Sequence, residues 1–231
     1  MTNKKYPNES DEYRAARNAL LAEEETLIAR IRDLAERRRQ LPRGGELPED
    51  YVFVGANNDN LGQELPLSSL FGDKDTLMIY SYMFGPNWDK PCLSCTSLVD
   101  GFDRAAFSVG HDVAFVVVTA APAQKLNDWA NSRGWQQVRL VSAEKTDYLR
   151  DYQCQTGDDD KSLWPVMHVF SRRDDGIYHF YGTEMQGNSV DMVWVYWNLM
   201  DLTPAGRPDR MVPPQDFRSR YLEEHYLPKT D

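Results

Sequence analysis

Two cysteines stand three positions apart in Cys92-Leu93-Ser94-Cys95, and no other cluster in the chain is better equipped for covalent chemistry. A thiolate is a nucleophile, and a second thiol one helical turn away can finish what the first begins. Cys92 would attack a disulfide and form a mixed disulfide, and Cys95 would resolve it. The same spacing has two other readings. One is half of a zinc knuckle; zinc then needs two further ligands. Cys154, His111, His168, His179 and His225 are the remaining thiol and imidazoles, and none has ligand spacing. The other is an inert buried pair. The expectation is a redox dithiol with no metal and no cofactor.

The flanking elements favour that expectation. Leu77 to Met83 is a continuous apolar and aromatic run, the pattern of a strand covered on both faces. A loop, Phe84 to Pro91, follows it, and a helix is expected from Cys95 to about Phe107. A helix beginning there turns its free N–H groups and positive end toward Cys92, which favours the thiolate. Trp88 and Lys90 flank the pair and are placed to shape its mouth, or simply a surface turn.

Further along, Val113–Thr119 reads as a second buried strand and Pro122 opens a helix ending near Gly134. Val138–Val141 is a third strand, and Tyr148 marks one helical turn. Pro165–Phe170 and Ile177–Tyr181 form a hairpin, and Ser189–Leu202 a last helix. Before all of these, Ser10 to Leu41 reads as one long helix with a half-apolar seam at Leu20, Leu27, Leu34 and Leu41. That seam is expected to lie on its own domain or on a partner subunit. Tyr51–Val54 is a strand and Leu67–Phe71 a short segment after Pro66. Strands alternating with helices imply a sheet with helices on both faces.

Whole-chain properties narrow the partners. The net charge is −10, which repels phosphate backbones and anionic membrane surfaces. No apolar run approaches the roughly 18 residues of a membrane span. The N-terminus lacks the apolar stretch of a secretory signal. Three cysteines are too few for a disulfide scaffold. A cytoplasmic protein without nucleic-acid or membrane partners is expected. His168 and His179, on adjacent hairpin strands, read as satisfied strand histidines; Cys154 and the aspartates at 158–160 read as incidental loop residues.

Several segments together resemble a known family. They are Tyr13-Arg14-Ala15-Ala16-Arg17-Asn18-Ala19-Leu20-Leu21, Asp50-Tyr51-Val52-Phe53, Leu70-Phe71-Gly72, Tyr82-Met83-Phe84-Gly85-Pro86-Asn87-Trp88 leading into the cysteines, and Asp201-Leu202-Thr203-Pro204-Ala205-Gly206-Arg207. They resemble a bacterial thioredoxin-like family of unknown function, labelled predicted dithiol-disulfide oxidoreductase, over about residues 10–210. The resemblance implies an α/β, thioredoxin-like fold: a central mixed sheet flanked by helices, with a long N-terminal helix. It implies no particular substrate. The expected division is a helical extension at 1–45, the thioredoxin-like domain at 46–203 and an irregular tail at 204–231. In such folds a cis proline opens the strand facing the dithiol. Pro165 holds that place in the order, so it is expected to be cis, with Trp164 beside it and Trp88 opposite as substrate-binding residues. The Leu163–Val169 stretch departs from many relatives by looking more thioredoxin-like. The partner would be a protein or small-molecule disulfide or thiol. The alternatives are a peroxiredoxin-like peroxidase, against which stands the lack of an arginine near the cysteines in sequence, and a non-catalytic homodimer joined through the first helix.

Overall fold

A computed structural model describes residues 5–157, 162–184 and 192–207. The chain divides into two compact units, Met1–Arg43 and Gly44–Asp231. The first is helix α1, Asp11–Arg39. Ser10 caps it: its hydroxyl accepts the Tyr13 N–H at 3.0 Å. Asp11 and Glu12 occupy the first turn and Arg37, Arg38 and Arg39 the last, each complementing the helix dipole. No residue of α1 is buried.

The second unit is built on a seven-stranded mixed sheet in the order β2-β1-β5-β4-β3-β6-β7. Strand β3 (Thr76–Ser81) lies between β4 (Ala114–Thr119), its parallel neighbour, and β6 (Met167–Arg173), its antiparallel one. Beyond β4 lie parallel β5 (Arg139–Ser142), then antiparallel β1 (Val52–Gly55) and β2 (Glu64–Pro66). Hairpin strand β7 (Gly176–Gly182) closes the other edge. The helices are α2 (Leu67–Leu70), α3 (Leu93–Val109), α4 (Ala123–Arg133), α5 (Tyr148–Asp151) and α6 (Val195–Met200). A parallel β3-α3-β4 unit followed by an antiparallel hairpin and a helix is the thioredoxin-like arrangement.

Side chains alternate across the sheet and sort into two cores. Tyr80 and Val117 join Leu98, Val99, Leu126 and Ala130 of α3 and α4. Leu77, Ile79, Val116 and Val118 join Leu67, Leu70, Tyr148 and Leu149 of α2 and α5 on the opposite face. Buried Asp103 ties α3 to the segment before β5. One of its carboxylate oxygens accepts the N–H groups of Gln136, Gln137 and Val138 at 2.8, 2.8 and 3.1 Å.

Three expectations change. Strand β2 is unforeseen, because three residues ending in proline give no alternating pattern. Helix α3 begins at Leu93, so Cys95 lies inside its first turn. Pro165 is trans, as no described peptide bond is cis; trans is the isomer X–Pro bonds favour. Of the expected final helix, residues 195–200 are helical and 189–191 lie outside the described residues. The loop aspartates 158–160, His225 and tail residues 208–231 also lie outside them. No helix among the described residues is long and apolar enough to cross a membrane.

Candidate active site

The junction between β3 and α3 positions both sulfurs. Cys92 is the residue capping α3, with extended backbone (φ −59°, ψ 123°). Its N–H donates to Met83 O at 3.0 Å, which anchors the turn. Its carbonyl accepts the Thr96 N–H and the Thr96 hydroxyl, both at 2.9 Å. Thr96 Oγ1 also lies 2.7 Å from the Tyr82 hydroxyl. Where most helices carry a serine or aspartate oxygen, this one carries sulfur: Cys92 Sγ accepts the Cys95 N–H at 3.5 Å.

This placement separates the two thiols chemically. A hydrogen bond from the Cys95 thiol lowers the pKa of Cys92. Burial opposes it, and the N–H groups of Cys95 and Ser94 assist it. Cys95 is pushed well above the ordinary thiol range by Cys92 beside it and by its own complete burial. Both thiols are free, with Cys92 7% and Cys95 2% exposed, so Cys92 is the more accessible. Among the described residues, no lysine or arginine contributes to either shift.

The strand beneath supplies two aromatic hydroxyls that spacing alone did not reveal. Tyr80 is fully buried and its hydroxyl makes no hydrogen bond of normal geometry among the described residues, yet it stands close enough to Cys95 to ease that thiol's ionisation. Tyr82 shares the core of the two cysteines and pairs its hydroxyl with that of Thr96. Both lie in a run of apolar and aromatic residues, Tyr80 within β3 and Tyr82 just past its end, and only the paired sheet shows which way they face. Lys125 of α4 is a second unforeseen contributor. Its ammonium donates to Pro86 O at 3.0 Å and to Trp88 O, and sits 5.0 Å from the centre of the Phe84 ring. One lysine therefore fastens the loop that leads into the dithiol.

Of the other sequence-selected residues, Trp88 is half-buried against the core that holds both cysteines. Trp164 goes elsewhere. Its indole N–H donates to Thr156 Oγ1 at 3.2 Å, and it lines a cavity with Val166 and His168. Val166 belongs to the core on the opposite face of the sheet, whereas Met167 shares the core of the cysteines. Pro165 immediately precedes Val166, whose carbonyl accepts the Ser81 N–H at 2.8 Å. Cys154 also belongs to the opposite core, where burial pushes its thiol up to about 12. The structure thus brings Cys92, Cys95 and Trp88 together and sets Trp164 and Cys154 apart.

The family model described as "Bacterial protein of unknown function (DUF899)" matches residues 2–225. The chain belongs to the DUF899 family. That span extends the sequence resemblance at both ends. No curated protein matches this DUF899 chain. Solved structures similar to it include a peroxiredoxin-like protein from Aquifex aeolicus, with 19% identity over 62% of this chain and 75% of that one (TM-score 0.43). The exposed lipoprotein thioredoxin of Streptococcus pneumoniae strain TIGR4 is 13% identical over 62% of this chain and 95% of its own (TM-score 0.44). A thiol peroxidase from Chromobacterium violaceum is 14% identical over 62% and 75% (TM-score 0.44).

Proposed function

We propose that this DUF899 protein is a thiol-disulfide oxidoreductase whose working groups are Cys92 and Cys95. The observation that carries the reading is the pair's placement: two free thiols in the first turn of α3, the outer one capping the helix with its sulfur. The Cys92 thiolate attacks one sulfur of a substrate disulfide. A Cys92–substrate bond forms, and the other substrate sulfur leaves as a thiolate. The Cys95 sulfur, once deprotonated, then attacks Cys92 Sγ and expels the second substrate thiolate. Two electrons pass to the substrate, its two thiolates take up the protons lost by the dithiol, and the protein is left with a Cys92–Cys95 disulfide. An external thiol of a reducing compartment restores the pair.

The depressed Cys92 pKa supplies the nucleophile. The elevated Cys95 pKa keeps that sulfur protonated, and its thiol donates to Cys92 until the mixed disulfide removes the charge. Trp88 offers an apolar wall for whatever flanks the substrate sulfurs. The partner is a protein or small-molecule disulfide.

The test is trapping. Cys95→Ser should accumulate a mixed disulfide with an added aromatic disulfide, visible as a mass increment, while Cys92→Ser should neither react nor turn over. Iodoacetamide should label Cys92 first. Faster labelling of Cys95, or an oxidised wild-type chain that holds no Cys92–Cys95 disulfide, would overturn the assignment. Rapid consumption of peroxide without disulfide exchange would move the protein to the peroxidase reading.

A further inference from the structure

A second site lies on the face of the sheet away from the sulfurs. Strands β6 and β7 pair with a slip: Val169 faces Tyr181 while Phe170 faces His179, so one residue of β7 is passed over. The slip lets His168 and His179 meet, with His168 Nδ1 3.0 Å from His179 Nε2. His168 Nε2 lies 2.9 Å from Tyr152 O. A carbonyl only accepts, so His168 Nε2 carries the proton. Burial keeps His168 neutral, hence its Nδ1 is a bare acceptor and His179 Nε2 must be the donor. His179 is also held toward its neutral form by burial. Its Nδ1 is consequently an acceptor, and it has no hydrogen-bond partner among the described residues.

His179 lines a cavity of about 950 Å³. Two aromatic side chains, Tyr152 and the half-exposed Trp164, form part of its wall. Three carboxylates, Glu46, Asp151 and Glu184, line it as well, and among the described residues no lysine or arginine does. Asp151 is partly occupied by the Tyr51 hydroxyl at 2.5 Å. Glu46 and Glu184 have no hydrogen bond or ion pair among the described residues. Such a lining rejects anions and offers acceptors to N–H donors. Aromatic faces add attraction for a flat cation. A metal ion suits it less, because both nitrogens of His168 are already engaged.

We propose that this cavity binds a flat organic cation of the amidinium or guanidinium type. The aryl or alkyl body lies against Trp164 and Tyr152, the N–H groups reach His179 Nδ1, and the charge faces Glu46 and Glu184. The site is independent of the dithiol.

Benzamidine is the probe, with neutral benzamide and anionic benzoate as shape controls, titrated into the full chain by calorimetry. Benzamidine should bind one per chain and benzamide about tenfold more weakly, while benzoate should not bind. Glu46→Gln combined with Glu184→Gln should weaken benzamidine by about tenfold or more and leave benzamide unchanged. His179→Gln, shown to be folded by its melting curve and near-ultraviolet dichroism, should weaken both N–H-bearing probes, benzamidine and benzamide. Benzamide binding as tightly as benzamidine would overturn the proposal, as would benzamidine binding that the glutamate substitutions leave intact or no benzamidine binding at millimolar concentration.

Discussion

Acidifying the protein should expose the cost of its buried imidazole pair. Burial, joined by the neighbouring His179, lowers His168 from 6.5 to about 4. The sign follows from proton counting. Above pH 6.5 neither folded nor unfolded chain protonates His168, so it adds nothing. Between pH 6.5 and 4 the unfolded chain takes up a proton that the folded chain refuses, so stability falls as pH falls. Each pH unit inside that window costs about 1.4 kcal/mol. From pH 7 to pH 5 the loss is about 2 kcal/mol, and by pH 4 it approaches about 3 kcal/mol. His168→Gln is the matched control, because its amide N–H still donates to Tyr152 O while its oxygen still accepts from His179. Urea unfolding of both proteins at pH 7, 6 and 5 gives the comparison. The wild type should lose about 2 kcal/mol more than His168→Gln between the extremes. Equal losses would refute the reasoning, since the titrating group would then lie elsewhere.

Asp103→Ala strips the acceptor from three backbone N–H groups and should cost about 3–5 kcal/mol in urea or thermal unfolding. Asp103→Asn, which keeps a carbonyl acceptor, should cost clearly less. Tyr80→Phe should change stability by less than about 1 kcal/mol, because the hydroxyl has no hydrogen bond to lose. It should nevertheless prolong the mixed disulfide in quenched-flow mass spectrometry, because Cys95 loses the group that eases its ionisation. Cys154→Ala should leave the rate of disulfide reduction unchanged, since that thiol sits in the other core and titrates near 12; a large loss in the reduction assay would place it in the reaction.

The placement of Cys92 and Cys95 at a strand-to-helix junction was legible from residue type, spacing, and a buried strand on one side with a helix on the other. The long helix was equally legible, down to the serine that caps it, since capping and dipole preferences act within one turn. What lay hidden depends on pairing between distant segments. Tyr80 and Tyr82 are two of several aromatics in an apolar run, and that both join the core of the sulfurs depends on which face of the sheet each side chain takes. The meeting of His168 and His179 needs a one-residue slip between strands that no local pattern records. Trp164 was assigned to the dithiol by analogy, whereas the side-chain alternation around Val166 and Met167 carries it to the other face. Lys125 acts from a helix whose sequence reads as an ordinary exposed surface.

Met167 and His168 are chemical neighbours in the chain and strangers in the fold: the first touches the core of the sulfurs, the second the histidine cavity. Strand β6 is thus an insulator one residue thick. Side chains on one surface cannot pass a local disturbance directly to those on the other, because hydrogen-bonded backbone intervenes. An occupant of the cavity would be felt at Cys92 only by displacing β6 bodily against β3, and the ladder from Thr76–Ser171 to Tyr80–Met167 resists that motion as a unit. The two cores can therefore be repacked separately, which leaves the side chains of either face free to change in evolution while the other is kept.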